Sequence, residues 1–171
     1  CEADPEQAYL VNGIGTRNLT IACEEIRCPI IYISTDYVFD GTKTEPYNEW
    51  DNTNPLNKYG LSKLLGEQFV RSLTNRFYIV RTSWLFGRSG KNFVDTIVKL
   101  LSERDSIDVV NDQTGSPTYT HNLAVKLREL IGKGYGTYHI TNSGSCTWHD
   151  FAAEIARIKG IDKKVNRTTS D

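Results

Sequence analysis

The 171-residue sequence contains no methionine, only four cysteines and almost no excess of charge of either sign. Cys1, Cys23, Cys28 and Cys146 match neither the spacing of a C-x-x-C metal knuckle nor a compact disulfide framework, and they read as reduced cytosolic thiols. Twenty basic residues against twenty-one acidic ones give a net charge of −1, which excludes a basic field that would draw nucleic acid or an anionic membrane. The apolar run around 29–33 is far shorter than the about 18 residues a spanning helix needs, and no signal-peptide pattern opens the chain. A strand followed by a G-x-G-x-x-G or G-x-x-G-x-x-G turn, the usual cradle for a pyrophosphate, is missing; Gly13 and Gly15 fall inside a helical pattern. With no methionine and a start at Cys1 just before a helix, the chain is expected to be a piece of a longer protein. His121, His139 and His149 are not i, i+4 neighbours and lack a carboxylate at ligand spacing, so no metal site is expected. Gly144-Ser145 does not complete the G-x-S-x-G elbow of a serine hydrolase.

What is present describes an ordinary globular protein. The hydrophobic fraction is 39% and the charged fraction 24%, with three Trp and nine Tyr. A chain of this length buries roughly 70% of its unfolded surface, so a real core forms.

The pattern alternates helices and strands. Asp4-Pro5 followed by Ala8, Leu10, Val11, Ile14, Leu19, Ile21, Ala22 and Ile26 predicts a capped amphipathic helix ending near Cys28-Pro29. The β-branched run 30–33 predicts a strand buried on both faces, with Ser34, Thr35 and Asp36 at its carboxyl end, where open α/β sheets bind ligands. A Gly-, Pro- and Asn-rich loop leads to a helix over 57–72. Strands follow at 77–83, 107–110 and 136–140, the last clear one. Helices are predicted after Asn92 through Leu101, over 123–131, and from a Thr147 cap through Ile158. This alternation argues for an α/β, doubly wound, mostly parallel Rossmann-like sheet. The expected division is a catalytic half of that domain over 1–87, then a small substrate-binding region with returning strands over 88–171. The fold is expected to be partial, with its C-terminal end cut short.

Tyr59 and Lys63 are four apart on the predicted helix, sharing one face about 6 Å apart along the axis. A nearby ammonium favours a phenolate, and a shift of about two units, roughly 2.7 kcal/mol, would bring a phenol into a useful range for proton transfer. By itself the pair is equally an ordinary helix surface pair, since Y-x-x-x-K is common by chance. Thr35 could donate to a substrate carbonyl or merely cap a turn. Asp36 could bind sugar hydroxyls or close the same turn, and Trp84 could stack on a sugar face or sit in the core.

Three segments point further: Val11-Asn12-x-x-Gly15-Thr16-x-Asn18-Leu19, Ser34-Thr35-Asp36-Tyr37-Val38-Phe39-Asp40-Gly41, and Tyr59-Gly60-x-Ser62-Lys63-x-x-Gly66-Glu67. They resemble successive signatures of the extended short-chain dehydrogenase/reductases. Arg81-Thr82-Ser83-Trp84-Leu85-Phe86-Gly87, Asn92-Phe93-Val94, 112–118 and 136–142 narrow the resemblance to the dTDP-4-dehydrorhamnose reductase family, over nearly the whole chain.

The resemblance implies reduction of the 4-keto group of dTDP-4-dehydro-L-rhamnose to dTDP-L-rhamnose, with NADPH or NADH as cofactor, in the cytoplasm. Tyr59 would be the general acid, Lys63 would hold the nicotinamide ribose and depress the Tyr59 pKa, and Thr35 would take the third catalytic position. Asn12 would lie near Lys63 at the cofactor, while Asp36 and Trp84 would contact substrate. Asn92 and Gln113 are weaker suggestions for nucleotide or sugar contacts, with helix-cap and loop roles open beside them. A dTDP-sugar is the expected partner, nucleic acid and membrane are not, and a homodimer is left open. Two alternatives stand beside this reading: a related nucleotide-sugar epimerase or dehydratase, and a non-catalytic regulatory homologue. A dehydratase would want a Glu after Asp36, where Tyr37 stands.

Overall fold

The computed structural model describes residues 1–170. Asp4 accepts a hydrogen bond from the Gln7 backbone N–H and Pro5 takes the first position of helix α1, Pro5–Ala8. The helical path continues without a break through a wider π segment, Tyr9–Gly15, into α2, Thr16–Glu25. Strand β1, Ile30–Thr35, ends in a tight single turn, Asp36–Val38. After the loop come α3, Lys58–Leu73, capped by Asn57, then β2, Phe77–Thr82, and the short β3, Leu85–Phe86. Helix α4, Phe93–Glu103, precedes β4, Ser106–Val110, β5, Thr114–Gly115, β6, Thr118–Tyr119, and α5, Thr120–Leu130. The chain continues through β7, Gly136–His139, β8, Cys146–Thr147, α6, Trp148–Lys159, and β9, Lys164–Thr168.

These elements form two compact units. The first joins Cys1–Thr82 to Ile131–Ile140, and the second joins Ser83–Leu130 to the chain from Thr141. The first holds a three-stranded parallel sheet in the order β1-β2-β7, the α/β, Rossmann-like arrangement expected from the sequence. Ile30, Tyr32 and Ile79 present one face of it to Val70 of α3 and Cys23 of α2. The register sets Thr35 opposite Thr82 at the carboxyl end. The return of residues 131–140 as β7 explains why the first unit is not continuous in sequence.

The second unit packs α4, α6 and β4 around Ile97, Leu101, Ile107, Val109, Ala152, Ile155 and Ala156. Here β4 pairs with β9 and β3 with β6 in parallel, and β5 with β8 antiparallel. β7 is therefore not the last strand. Lys-Val-Asn-Arg-Thr offers just one half-buried apolar side chain, so periodicity does not reveal β9; its backbone pairing with β4 makes it a strand.

Two other expectations change. The first helical stretch leaves most of its apolar residues unburied: Leu10, Val11, Ile14, Leu19 and Ile26 are exposed, whereas Ala8, Gly13, Thr16 and Thr20 face inward. Small and hydroxyl side chains let this helix approach α3 closely, and Thr20 satisfies its own hydroxyl on the Thr16 carbonyl. Strand β1 is not buried on both faces, because Ile31 and Ile33 are half-exposed.

Candidate active site

Thr35 closes β1 in extended conformation, and its hydroxyl does two jobs. It accepts the Tyr37 backbone N–H at 3.2 Å, which caps the following turn, and donates to the Asp36 carboxylate at 3.0 Å. With 5% of its surface exposed, Thr35 is fixed by strand pairing behind it and a turn ahead. The capping role is therefore present, and the same hydroxyl is the candidate site group at the carboxyl end of β1.

Helix α3 brings Tyr59 and Lys63 to this turn. Asn57 starts the helix by accepting the Gly60 N–H at 2.7 Å. At Gly60 a Cβ would overlap the Tyr37 carbonyl, so the missing side chain lets the first turn of α3 press against the turn that follows β1. Tyr59 consequently meets Tyr37 edge-on, ring centroids 5.9 Å apart at 76°. Burial pushes the Tyr59 phenol above its ordinary value; the Thr35 hydroxyl opposes that, and Asp36 and Tyr37 add to it. This direction is opposite to the depression expected from the Tyr59–Lys63 pair. Lys63 does not aim its charge at the phenol: its ammonium lies 4.2 Å from the centroid of the Tyr32 ring. Burial lowers the Lys63 pKa to about 8, with the Glu67 carboxylate working the other way. Asp36 is likewise raised by burial and eased by its bond to Thr35.

Asn12 sits in the π segment of the first helical stretch. Its amide donates to Ser62 Oγ at 3.0 Å, and its carbonyl accepts from the Tyr32 hydroxyl at 3.3 Å. A π turn disturbs the ordinary i to i−4 ladder, and such turns occur often at functional sites. Ser62 in turn donates to the Tyr59 carbonyl at 2.8 Å, so Asn12 braces the turn of α3 that carries Tyr59 and Lys63.

Beneath that turn lies a buried ionic network to which sequence reasoning gave no role. Glu67, 0% exposed, accepts from Ser34 Oγ at 2.6 Å, from Arg81 Nε at 2.9 Å and Nη2 at 2.7 Å, and from Arg71 Nη2 at 3.2 Å. Burial by itself would raise this carboxyl, but Arg81, Ser34 and Arg71 hold it below the usual carboxylate range. Arg81, 4% exposed, also lies over the Phe39 ring and approaches His139 Nε2 at 3.5 Å. The network binds α3 to β1 and β2 directly behind Thr35. One sequence signal could have found it: an Arg inside the apolar strand Ile79-Val80-Arg81, with a Glu one helical turn past Lys63.

Trp84, Asn92 and Gln113 belong to the second unit. Trp84 has a left-handed backbone, φ 48°, rare for a bulky residue and frequent where strain serves a site. Its ring stacks flat on Trp148, centroids 3.5 Å apart at 11°. Asn92 caps α4: its Oδ1 accepts the Asp95 N–H, and its Nδ2 donates to the Gly87 and Gly90 carbonyls and to Asp95 Oδ2. Gln113 is exposed and donates to Ser170 Oγ at 2.9 Å. Among the described residues no cluster of three or more His, Cys, Asp or Glu could hold a metal ion, and no helix is long and apolar enough to cross a membrane.

The RmlD substrate-binding domain matches residues 1–171. The chain belongs to this family. Among RmlD relatives it is 42% identical over 171 residues to the spore coat polysaccharide biosynthesis protein SpsK of Bacillus subtilis (strain 168), covering 100% of this chain and 60% of that protein. It is 39% identical over 175 residues to the dTDP-4-dehydrorhamnose reductase of Escherichia coli (strain K12), covering 97% of this chain and 58% of that one. The crystal structure of the Bacillus anthracis str. Ames dTDP-4-dehydrorhamnose reductase in complex with NADP superposes with a TM-score of 0.96 at 46% identity, over 99% of this chain and 60% of that one. The chain thus spans about three-fifths of the length of these RmlD relatives.

Proposed function

We propose that the complete protein reduces the 4-keto group of dTDP-4-dehydro-L-rhamnose to dTDP-L-rhamnose with NADPH or NADH, and that Thr35, Tyr59 and Lys63 carry out the proton transfer. The observation that carries this reading is the convergence of the buried Thr35 hydroxyl with the Tyr59 phenol, one turn from a half-buried ammonium that forms no ion pair among the described residues. Relatives named as dTDP-4-dehydrorhamnose reductases support the substrate, and the NADP in the Bacillus anthracis structure supports the cofactor. Such a substrate and cofactor support a cytoplasmic location.

The residues present fit the nicotinamide-ribose end of that cofactor. Lys63 keeps its ammonium donors unspent on side chains among the described residues, which suits a ribose diol, and Asn12 holds the adjoining turn. The nicotinamide, when bound, supplies the hydride. Thr35, whose single O–H would have to turn from the Asp36 carboxylate, donates a hydrogen bond to the oxygen on which negative charge grows. Tyr59 delivers the proton to it; a phenol raised by burial is fully protonated at neutral pH, as an acid must be before the step. Lys63, with a pKa of about 8, is mostly cationic at pH 7; although its ammonium rests on Tyr32 and not on Tyr59, its charge one helical turn away is proposed to favour the phenolate left on Tyr59. Asp36 and Trp84 are proposed to contact the sugar. Asn92 and Gln113 enter more weakly, because their amides are already engaged in a helix cap and with Ser170.

Tyr37 stands where a dehydratase would want a carboxylate, which favours the reductase over that alternative. Incubating the complete protein with dTDP-4-dehydrorhamnose and NADPH tests the reading. Oxidation of the cofactor with formation of dTDP-rhamnose is expected; a protein that leaves NADPH untouched would sink the proposal.

A further inference from the structure

A half-buried lysine usually finds a carboxylate, and Glu67 is the acid on the next turn of α3. Glu67, however, is fully committed to Ser34, Arg81 and Arg71. The ammonium instead lies over an aromatic face, 4.2 Å from the Tyr32 centroid. Tyr32 is held from three sides. Its ring packs in the apolar layer with Ile30, Val70 and Ile79. Its hydroxyl lies between two backbone carbonyls, that of Lys63 at 3.1 Å and that of Asn12 at 3.3 Å, sharing its proton between α3 and the π segment. Gly66 makes room, since a Cβ there would overlap the Tyr32 hydroxyl and the Asn12 carbonyl.

We propose that Tyr32 is the positioning residue for Lys63: its ring face carries the ammonium while its hydroxyl fixes the helical backbone from which that lysine extends. The role rests on the reductase reading, in which Lys63 serves the cofactor ribose and Tyr59. An aromatic support suits that purpose better than a carboxylate. It favours the charged form in a partly desolvated place without consuming the N–H donors that must meet two ribose hydroxyls. The titratable groups acting on Lys63 are Glu67 on its own helix and Tyr32 on β1, while Tyr59, one turn back on α3, is not approached by the ammonium; Asn12, from the π segment, is uncharged. Burial keeps the Tyr32 phenol neutral across the working range, so the contact is one of cation with ring and not an ion pair.

The test is the Lys63 pKa, followed by NMR of its side-chain amine in the complete protein. Tyr32→Leu removes the ring and is expected to lower that pKa by about one unit; Tyr32→Phe keeps the ring and leaves it within error, while loosening α3. Should Tyr32→Leu fail to fold, fluorinated phenylalanines placed at position 32 weaken the ring face at nearly constant shape. The Lys63 pKa is then expected to fall stepwise with each added fluorine. A folded Leu variant or a fluorinated series with an unmoved Lys63 pKa overturns the proposal, as does a Phe variant that shifts it as far as Leu. Reductase turnover of the unmodified protein is measured beside it. Absence of turnover with the expected pKa series refutes the functional reading and leaves the Tyr32–Lys63 contact standing.

Discussion

The two units bury different things. In the first, the interior behind Thr35 holds the linked Ser34, Glu67 and Arg81, with Ser62 and Thr82 also buried, beside the apolar layer of Ile30, Tyr32, Val70 and Ile79. In the second, the core is a hydrocarbon cluster of Ile, Leu, Val and Ala, bordered by Phe93, Trp148 and Phe151. A buried ion pair is no efficient way to gain stability, because desolvation offsets most of its attraction. On the proposed reading, its place midway along α3 serves to hold the helix that carries Tyr59 and Lys63 against the strand that ends in Thr35. Among the described residues, the second unit shows no such pair in its core cluster, which is apolar throughout.

The contrast can be broken most severely at Tyr59. Tyr59→Phe is expected to lower turnover about 10²- to 10⁴-fold with melting nearly unchanged; a variant retaining most of its kcat would remove Tyr59 as the acid. Next in size, Glu67→Ala leaves Arg81 buried without its partner and is expected to cost about 3–5 kcal/mol in urea unfolding. An equal loss from Glu154→Ala in the second unit, whose ion pair with Arg157 is exposed, would erase the distinction.

The pH dependence sharpens it further. Lys63 titrates near 8 in the folded chain, below its ordinary 10.5. Burying its charge therefore costs stability below about pH 8, and that cost is relieved as pH rises from the folded to the unfolded pKa, since the unfolded state binds more protons between them. Turnover has the opposite trend and should fall above about pH 8 as the ammonium is lost; Glu67→Gln should move that fall to lower pH, because Glu67 supports the charge. A basic limb unmoved in Glu67→Gln would disconnect the two residues.

The smallest effect compares two helix caps. Asn57→Ala in α3 and Thr147→Ala in α6 should each cost about 1 kcal/mol in thermal unfolding. We expect Asn57→Ala to lower kcat as well, since its helix carries Tyr59, and Thr147→Ala to leave kcat alone.

Much of this was legible in the chain. The caps Asp4, Asn92 and Thr147 were visible as polar residues ahead of helical periodicity, Asn57 was read as the first residue of its helix and proves to be its cap, and β1 was visible as a β-branched run. The candidacy of Thr35, Tyr59 and Lys63 came from spacing and family resemblance, and the structure places them as a strand end and one helical turn. β9 was hidden because a polar strand has no hydrophobic signature, and the inward face of the first helical stretch because small residues buried at a close helix contact carry none either.

Local sequence determined the helices, the strands and the placement of Tyr59 and Lys63 on one helical face, because those depend on interactions within a few residues. The raised Tyr59, the lowered Lys63, the Glu67–Arg81 network and the seat that Tyr32 offers to Lys63 were decided by tertiary structure. Desolvation and contacts between residues 14 to 31 positions apart depend on which faces meet; an Arg in an apolar strand signals that a buried partner is needed, but spacing along the chain does not say which one.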